Sequence, residues 1–382
     1  MKTLYRIIIA RKIFQKITNF FLKIAGLSVL DLKETLRFSK HYEVSSTASE
    51  MHHLPKVSDF FVPEKIYFSP RDLVISANYV WDYRDKEGYL SKYGSVIIDK
   101  KVLCTHWTHD GLYRSLSEDD DRKQIACKIL VAPFSHFKDE RVYYGYYDYV
   151  FFIAGKLARI KNSMPDYDFD DIWVSYASFG EKYESEYLKL IGYKEKNFID
   201  CQQYKPISKR ILSANFEGWH PSKSDIDILK QEISKRFTPE KSKSQRIYIS
   251  RSGRRKISNE VELIELLKEF DFKIIEDVER SVEEQIALYK NASFIVGAHG
   301  ASFTNIIWCE PGTQLFELFS PNYAPDFFLY LAEVMELKYS AYYHGMHNKD
   351  VTYAMGLTED IDVSIPELRE RIKLILNSSN VT

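Results

Sequence analysis

Three arginines and one histidine have the residue types and the spacing to bind an anion. Arg251, Arg254 and Arg255 directly follow a predicted strand that ends at Ser250, and His299 follows a second predicted strand. Guanidinium groups donate forked pairs of hydrogen bonds that suit phosphate oxygens, and a histidine can donate one more. The alternative interpretation is a solvated basic loop and a structural histidine. The choice between these two interpretations depends on the strands and helices that position the side chains.

The stretch from residue 293 to residue 318 predicts how the histidine is positioned. Its opening apolar run, residues 294–296, is short and bounded by Gly297, which is typical of an interior strand of a parallel sheet. Gly300 and Ala301 follow the histidine, so the backbone can turn tightly into a helix. The free amide groups at such a helix start attract anions.

A second strand in the same stretch carries one carboxylate. Pro311 and Gly312 end the helix, and residues 314–318 form the next apolar run, with Glu317 near its carboxyl end. Carboxyl ends of parallel strands lie at one edge of a sheet, where open α/β folds bind ligands. The sequence therefore predicts His299 and Glu317 at the same edge.

Strands and helices alternate through the rest of this half of the chain. Strands are predicted at 246–250 and 272–275, a helix at 259–270 with Asn259 and Glu262 as a capping box, and a helix to residue 291 with Ser281 and Glu284 as another. This alternation predicts a parallel, doubly wound sheet.

The motifs of this half also carry a family resemblance. The sequence GAHGA at 297–301, then Thr304 and Asn305, then PGT at 311–313, then Glu317, resembles the carboxyl-terminal signature of glycosyltransferase family 61, in particular its bacterial capsule and lipopolysaccharide members. The resemblance implies an α/β protein of the GT-B type, with two Rossmann-like domains whose parallel sheets face a central cleft. It also implies inverting transfer of a hexosyl or pentosyl group from a nucleotide sugar, with UDP as the expected nucleotide, no essential metal and no further cofactor.

The same resemblance assigns the site residues. Arg251 and Arg255 are expected on the diphosphate, His299 donates to a diphosphate oxygen or pins its loop, and Glu317 accepts hydrogen bonds from ribose hydroxyls. The full nucleotide-sugar-binding set is Arg251, Arg255, Asn259, Glu260, His299, Gly300, Ala301, Thr304, Asn305 and Glu317.

Inverting transfer needs a base that takes the proton of the acceptor hydroxyl, and the first domain is expected to supply it. The candidates are His109 and Asp110 in the run THWTHD, and Asp148 in an aromatic cluster that precedes a predicted helix. Members of the family often carry a histidine in that segment, where this chain has Phe151.

Composition limits the function classes. A chain of 382 residues with 45% hydrophobic and 28% charged content can bury a large core and is expected to form two or three domains. The net charge of −1 gives no general attraction to nucleic acid. The four cysteines are far apart and form neither a metal motif nor a disulfide framework, which favours the cytoplasm.

Residues 1–27 combine apolar and basic side chains with helical spacing. Phe14, Ile17, Phe21 and Ile24 share one predicted helix face, and lysines and arginines lie on the others. The stretch has no run of about 18 uncharged residues, so it is not predicted to cross a bilayer. It is expected either to pack on its own domain or to lie on the inner face of the cytoplasmic membrane, which would suit a lipid-linked glycan acceptor.

The predicted domain boundaries follow from these patterns. They are a basic amphipathic helix at 1–30, a linker at 31–60, an acceptor-side α/β domain at 61–205, a connector at 206–223, the nucleotide-sugar-binding domain at 224–345, and a carboxyl-terminal segment at 346–382 whose helix returns to the first domain.

Other functions lack their motifs. The chain has no GxGxxG after a strand, no GxxxxGK[ST] and no HExxH, which argues against dehydrogenases, P-loop NTPases and zinc proteases. Two hypotheses remain: a glycosyltransferase of cell-surface polysaccharide synthesis, and a noncatalytic nucleotide-sugar-binding or scaffold protein of a polysaccharide assembly complex.

Overall fold

The computed structural model describes residues 13–14, 16–18, 20–22, 24, 26–104, 120–133, 145–164, 166–215 and 218–379. The chain divides into two units. The first consists of Met1–Glu50 and Ile75–Thr238, and the second of Met51–Val74 and Pro239–Thr382. Each unit is built around its own β-sheet.

The secondary structure is numbered in chain order. The strands are β1 (Ser28–Val29), β2 (Glu43–Ser46), β3 (Glu50–Leu54), β4 (Val57–Ser58), β5 (Ile66–Phe68), β6 (Arg71–Ile75), β7 (Tyr79–Leu90), β8 (Val96–Ile98), β9 (Lys101–Val102), β10 (Lys123–Cys127), β11 (Leu130–Ala132), β12 (Trp173–Tyr176), β13 (Phe198–Asp200), β14 (Tyr204–Ala214), β15 (Gln245–Ile249), β16 (Phe272–Ile275), β17 (Ala292–Ala298), β18 (Gln314–Leu318) and β19 (Lys338–Tyr342). The α-helices are α1 (Leu32–Ser39), α2 (Tyr146–Tyr149), α3 (Gly155–Asn162), α4 (Lys182–Ile191), α5 (Lys223–Ser234), α6 (Glu260–Glu269), α7 (Val282–Lys290), α8 (Phe327–Val334), α9 (Tyr353–Gly356) and α10 (Ile365–Ser379). A π-helical segment, Val150–Ala154, joins α2 to α3, and 3₁₀ helices lie at Lys40–Tyr42, Phe169–Asp171, Glu195–Asn197 and Ala301–Trp308.

The second unit contains the predicted parallel sheet. Its five strands run in the order β16-β15-β17-β18-β19, and every neighbouring pair is parallel. On one face of the sheet, Val296 and Phe316 pack with Leu267 of α6 and Ile372 of α10 in one buried cluster. Because the strands are buried apolar runs joined by amphipathic helices, their alternation could be predicted from the sequence.

The last helix differs from the expectation. Leu368, Ile372 and Ile375 of α10 belong to the core of the second unit, whereas the family resemblance implies a return to the first. The apolar positions of α10 cover the same sheet face as α6. The segment at 346–382 is therefore part of the second unit.

The first unit has a mixed sheet, which corrects the expectation of a wholly parallel one. β14 pairs in parallel with β11, and β11, β12 and β13 continue in parallel, but β7 is antiparallel to both β14 and β8. Strands β8 and β9 form a hairpin through Asp99 and Lys100, both with positive φ. Two such residues in succession give the backbone twist of a tight hairpin turn, although neither is a glycine.

The predicted connector at 206–223 is wrong. Its first half, residues 206–214, belongs to β14, the strand between β7 and β11 in the sheet. Ser222 then caps α5 by accepting a hydrogen bond from the amide of Asp225. Pro206 lies opposite Ile125 in the pairing of β14 with β10, and pairing with β7 begins only at Ile207, so its missing amide hydrogen costs no bond to β7. The division between the units falls at residues 238 and 239.

The predicted linker at 31–60 is also wrong. Asp31 and Glu34 form a capping box at the start of α1, and β2, β3 and β4 follow. Residues 51–74 belong to the second unit, where the Asp59 carboxylate accepts hydrogen bonds from the Tyr67 hydroxyl (2.6 Å) and from Nε of Arg371 (3.1 Å). A boundary at residue 61 would cut this folded segment. No helix within the described ranges is both long and apolar enough to span a bilayer.

Candidate functional site

The strand order of the second unit locates a candidate site. When the strands of the five-stranded sheet are numbered in chain order, their spatial order is 2-1-3-4-5. The chain therefore leaves β15 toward one side of the sheet and β17 toward the other. Open parallel sheets bind ligands where the order reverses, beyond the carboxyl ends of the two strands. Arg251 lies two residues beyond β15, and His299 directly follows β17.

Arg251 contacts the second of these strand ends. Its Nη1 donates to the carbonyl oxygen of His299 (3.4 Å), and its Nε donates to the carbonyl oxygen of Arg254 (2.5 Å). Burial, with Arg255 and Arg254 nearby, lowers the pKa of Arg251 to about 10. The guanidinium stays charged at neutral pH, and its neighbourhood favours an incoming negative charge.

Gly300 makes room for this arginine. A Cβ atom at position 300 would overlap Nη1 of Arg251. The φ of Gly300 is 179°, an extended conformation open to any residue. The glycine is therefore required here for close approach rather than for the tight turn that the sequence suggested.

Arg255 is the second guanidinium at this edge. It is only 7% exposed, its φ is 60°, and its guanidinium lies over the ring of Tyr323 at 5.2 Å. Its Nε has no hydrogen-bond partner among the described residues. Burial lowers the pKa of Arg255. A left-handed backbone and an unsatisfied buried donor each cost on the order of 1 kcal/mol or more, a pattern found at ligand sites.

Neither arginine is neutralised by direct pairing. Among the described residues, no carboxylate forms an ion pair within 4.0 Å of Arg251 or Arg255. The nearby Asp277 carboxylate accepts hydrogen bonds from the amide (2.8 Å) and hydroxyl (2.7 Å) of Ser252, which ties together the loops after β15 and β16. The arrangement is suited to a ligand with more than one negative charge, such as a diphosphate.

His299 and Glu317 are brought together, as predicted, and Tyr339 joins them. The hydrogen bond between Nδ1 of His299 and Oε1 of Glu317 is 2.5 Å long, and the Tyr339 hydroxyl donates to Oε2 at 2.6 Å. Burial lowers the pKa of His299 well below its usual value and raises the pKa of Glu317 well above its own. Glu317 has no exposed surface, and its two oxygens are bonded to His299 and Tyr339. The carboxylate therefore does not face a space where a ribose could lie, which is where the prediction had placed it.

The remaining predicted residues of this half support the loops. Asn305 donates to Oε1 of Gln285 on α7 (2.8 Å), and Thr304 is fully buried with no hydrogen-bond partner for its hydroxyl among the described residues. Ala301 begins the 3₁₀ helix and is half-buried. These three residues shape the loop after His299.

Asn259 and Glu260 hold the start of α6. The Asn259 side chain exchanges two hydrogen bonds with the backbone of Val363, so the predicted capping box with Glu262 is wrong. Oε1 of Glu260 accepts from the hydroxyls of Tyr248 (2.7 Å) and Ser250 (2.8 Å). Glu260 thereby fixes the strand end from which the arginine loop begins.

In the first unit, Asp148 is the base candidate that the structure describes; His109 and Asp110 lie outside the described residues. Asp148 is 8% exposed at the end of α2 that leads into the π-helical segment, and the amide of Gly145 donates to its Oδ2 (3.0 Å). Burial raises the pKa of Asp148 to about 6. A π-helical segment interrupting an α-helix is often found at a functional site.

Two site residues, Tyr323 and Tyr339, were not predicted. Tyr323 belongs to no strand or helix, so no periodicity marks it. Tyr339 could have been found from the pairing of β18 with β19, in which it lies opposite Leu315. Because Leu315 and Glu317 are two residues apart on β18, Tyr339 and Glu317 lie on the same face of the sheet. Within the described ranges, no three histidine, cysteine or acidic side chains are grouped to hold a metal ion. That the reaction needs no metal remains a prediction.

Comparisons with known proteins identify the family of this chain. A segment of 67 residues, 18% of this chain, is 36% identical to a protein from Arabidopsis thaliana described as "Beta-1,2-xylosyltransferase". The match covers only 12% of that protein. The family model described as Glycosyltransferase 61 matches residues 105–316, more than half of the chain, and this range contains Arg251, Arg255 and His299. The resemblance noted from the GAHGA motif is thus confirmed, and the chain belongs to glycosyltransferase family 61.

Proposed function

We propose that this protein is an inverting glycosyltransferase that moves a sugar from a nucleotide diphosphate sugar, with UDP as the expected nucleotide, to a glycan acceptor in cell-surface polysaccharide synthesis. The observation that carries the proposal is the pair of guanidinium groups, Arg251 and Arg255, placed without carboxylate partners where the strand order reverses. Family membership and the similarity to a xylosyltransferase support the same reaction class. Because that relative transfers xylose by its description, UDP-xylose is the first donor to try.

The two arginines stabilise the leaving group. When the bond between the anomeric carbon and the phosphate oxygen breaks, negative charge grows on the departing diphosphate. Fixed cations at that position lower the barrier most when they are already oriented and shielded from water. Arg255 is held over Tyr323, and Arg251 is bonded to two carbonyl groups, so both are positioned before the ligand arrives.

Asp148 is the base that we favour for the acceptor. With a pKa of about 6 it is mostly ionised at neutral pH, yet more basic than an ordinary aspartate. In the reaction, the acceptor hydroxyl transfers its proton to the carboxylate, its oxygen attacks the anomeric carbon, and the diphosphate leaves from the opposite face. One displacement of this kind inverts the anomeric centre. His109 and Asp110 remain predictions for the same role.

The amino-terminal helix has features that favour binding to an anionic lipid surface. Its described residues expose the large apolar side chains of Phe14, Ile17, Phe20, Phe21 and Ile24, each at least 48% accessible. Residues 1–30 contain six basic residues and no acidic one, although the chain as a whole has a net charge of −1. An apolar face beside concentrated positive charge suits the boundary between lipid headgroups and acyl chains, where a lipid-linked acceptor would be found.

Flotation of the full chain with vesicles tests this contact. We expect binding to phosphatidylcholine vesicles that contain phosphatidylglycerol and little binding to phosphatidylcholine alone. Replacing Ile17 and Phe21 by serine should abolish it, whereas replacing Val261 and Val278, two exposed apolar residues of the second unit, should not. Equal flotation of all variants would show that the helix does not attach the protein to lipid.

A noncatalytic nucleotide-sugar-binding or scaffold protein is the competing function. Its support is Phe151, a buried ring 4.7 Å from Tyr147, in the segment where family members often carry a histidine. Donor hydrolysis without acceptor separates the two. Slow release of UDP from UDP-xylose or another UDP-sugar indicates a working leaving-group site. Tight UDP binding with no hydrolysis and no transfer to any glycan acceptor would favour the scaffold, and no nucleotide binding at all would refute both.

A further inference from the structure

A chain of three side chains crosses the sheet of the second unit. His299 follows β17, Glu317 lies on β18 and Tyr339 lies on β19, so three neighbouring strands contribute one residue each. The Tyr339 hydroxyl is 2.6 Å from Oε2 of Glu317, and Oε1 of Glu317 is 2.5 Å from Nδ1 of His299. The two hydrogen bonds use both oxygens of one fully buried carboxyl group.

The surroundings disfavour separated charges in this chain. The imidazole of His299 lies among the rings of Phe319 (5.2 Å), Tyr323 (5.4 Å) and Phe328 (5.1 Å). Burial raises the pKa of Glu317 and lowers the pKa of His299, and the positive charges of Arg255 and Arg251 lower that of His299 further. The hydrogen bond from Tyr339 and the charge of Arg255 act the other way on Glu317, but burial is the largest cause for both groups. Burial among apolar rings thus favours the pair without separated charges, a protonated carboxyl group beside a neutral imidazole.

The position of the carboxyl proton follows from the hydrogen bonds. The Tyr339 hydroxyl donates to Oε2, so Oε2 acts as the acceptor and the carboxyl proton lies on Oε1. From Oε1 it is donated to Nδ1 of His299, which must then be the unprotonated ring nitrogen. A neutral imidazole that accepts at Nδ1 carries its hydrogen on Nε2. Burial raises the pKa of Tyr339 well above its usual value, so the phenol keeps the proton that it donates.

We propose that Tyr339 is a positioning residue: acting through Glu317, it holds His299 in the tautomer that carries its hydrogen on Nε2, which can donate to a diphosphate oxygen. The identity of the acceptor atom rests on the proposed function, but the tautomer does not. Without the Tyr339 hydroxyl, the carboxyl proton could move to Oε2, and Nδ1 of His299 would then donate to Oε1. Nε2 would become a lone-pair acceptor that repels phosphate.

The same chain can respond as the leaving group gains charge. A proton that shifts from Oε1 of Glu317 to Nδ1 of His299 gives an imidazolium and a carboxylate. The imidazolium then donates from Nε2 to the departing diphosphate, and the carboxylate still accepts from Tyr339 at Oε2. No proton leaves the three residues, so the shift needs no external acid and is reversed when the nucleotide departs.

Nitrogen NMR of the full chain labelled with ¹⁵N-histidine tests the tautomer, because protonated and unprotonated ring nitrogens give distinct signals. The signal of His299 is identified by its loss in His299→Gln. Without any nucleotide, we expect the wild type to show a protonated Nε2 and an unprotonated Nδ1. Tyr339→Phe should give a mixture of both tautomers. A protonated Nδ1 in the wild type, or an unchanged spectrum in Tyr339→Phe, would overturn the proposal.

Two further variants make the test independent of folding defects. Tyr342→Phe is the matched control, because Tyr342 lies on the same strand and its hydroxyl donates to Glu367 (3.1 Å), away from His299. It should leave the His299 signals unchanged. Glu317→Gln mimics the protonated carboxyl group: its amide oxygen can accept from Tyr339 while its amide nitrogen donates to Nδ1. The tautomer should therefore persist in this variant, and conversion to a protonated Nδ1 would refute a protonated Glu317.

Adding UDP separates this inference from the proposed function. If both hold, Tyr339→Phe should bind UDP about tenfold more weakly than Tyr342→Phe, the size expected for one impaired hydrogen bond to a charged group. If the wild type has the expected tautomer but binds no nucleotide, the positioning role stands and the proposed function fails. If Tyr339→Phe and Tyr342→Phe bind UDP with equal affinity, and the His299 tautomer is the same in Tyr339→Phe as in the wild type, the positioning role fails and the proposed function stands.

Discussion

The two units of this protein bury opposite charges in different ways. In the second unit, Arg251 and Arg255 are held at strand ends without a paired carboxylate, and burial lowers the pKa of both. In the first unit, Asp148 is buried in α2, where it stands between Tyr147 and Tyr149 in the sequence, and burial raises its pKa to about 6. The two arginines thus have no directly paired anion among the described residues, whereas the buried Asp148 carboxylate is stabilised by accepting a proton.

This difference matches the two chemical tasks of the proposed function. Buried cations stabilise the charge that leaves with the nucleotide, and a carboxylate of raised pKa removes the proton that the acceptor must lose. Each feature is unfavourable to folding on its own, since the charged forms are desolvated. Substitutions in the two units should therefore separate acceptor chemistry from nucleotide binding.

The largest expected effect is on transfer in Asp148→Asn. Loss of the proton acceptor should lower the transfer rate by about 10²- to 10⁴-fold, the usual contribution of a general base. UDP affinity, measured by calorimetry, should stay within about twofold of wild type, because Asp148 belongs to the unit that holds no arginine of the site. Full transferase activity in this variant would move the role of base to His109 or Asp110.

The next effect is on nucleotide affinity in Arg251→Ala. Removing one charge-assisted contact to the diphosphate should raise the dissociation constant of UDP by about 10- to 100-fold. Arg254→Ala is the matched control, because Arg254 lies in the same loop with an exposed side chain and contributes its carbonyl oxygen. Equal UDP affinities in Arg251→Ala and Arg254→Ala would show that the diphosphate does not bind to Arg251 at this edge of the sheet.

A third effect concerns stability and also lies in the first unit. The folded pKa of Asp148, about 6, is above the usual value near 4, so the folded state binds a proton more tightly than the unfolded state does. Stability should then fall as pH rises from about 4 to 6. Asp148→Asn removes this penalty and should raise the free energy of unfolding by about 1–3 kcal/mol at pH 7.5, with no gain below pH 4.

Denaturant titrations at several pH values check this prediction. The control is Asp85→Asn, an exposed carboxylate of the same unit, which should change the free energy of unfolding by less than about 0.5 kcal/mol at every pH. If the free energies of unfolding of Asp148→Asn and wild type differ by the same amount at every pH, the pKa of Asp148 is not raised in the folded state.

The sequence was sufficient for the second unit where local patterns decide the structure. Short apolar runs and the capping box of Ser281 and Glu284 were predicted and are confirmed. The capping box at Asn259 was wrong, because that side chain bonds Val363, more than one hundred residues away. A local motif cannot reveal a competing partner that only the tertiary fold supplies.

The first unit was harder to predict because its longest strands are not apolar runs. β7 carries Asp82 and Arg84 in its middle, and the Asp82 carboxylate is buried by accepting from Nε of Arg210 on β14 (2.9 Å). Polar residues of this kind look like a loop until the partner strand is known. The same reasoning applies to Tyr339, whose role depends on register rather than on its neighbours in sequence.

The smallest expected effect tests why Gly300 is a glycine. A Cβ atom at this position would overlap the end of the flexible Arg251 side chain, so Gly300→Ala should displace the guanidinium and leave the backbone and the fold unchanged. UDP affinity should fall by about tenfold or less. If the effect acts only through Arg251, the double variant Arg251→Ala with Gly300→Ala should bind UDP no more weakly than Arg251→Ala alone, since both changes remove the same contact. Additive losses would mean that the backbone at residue 300 approaches the nucleotide by itself, and would place the diphosphate over the start of the 3₁₀ helix rather than on the arginine.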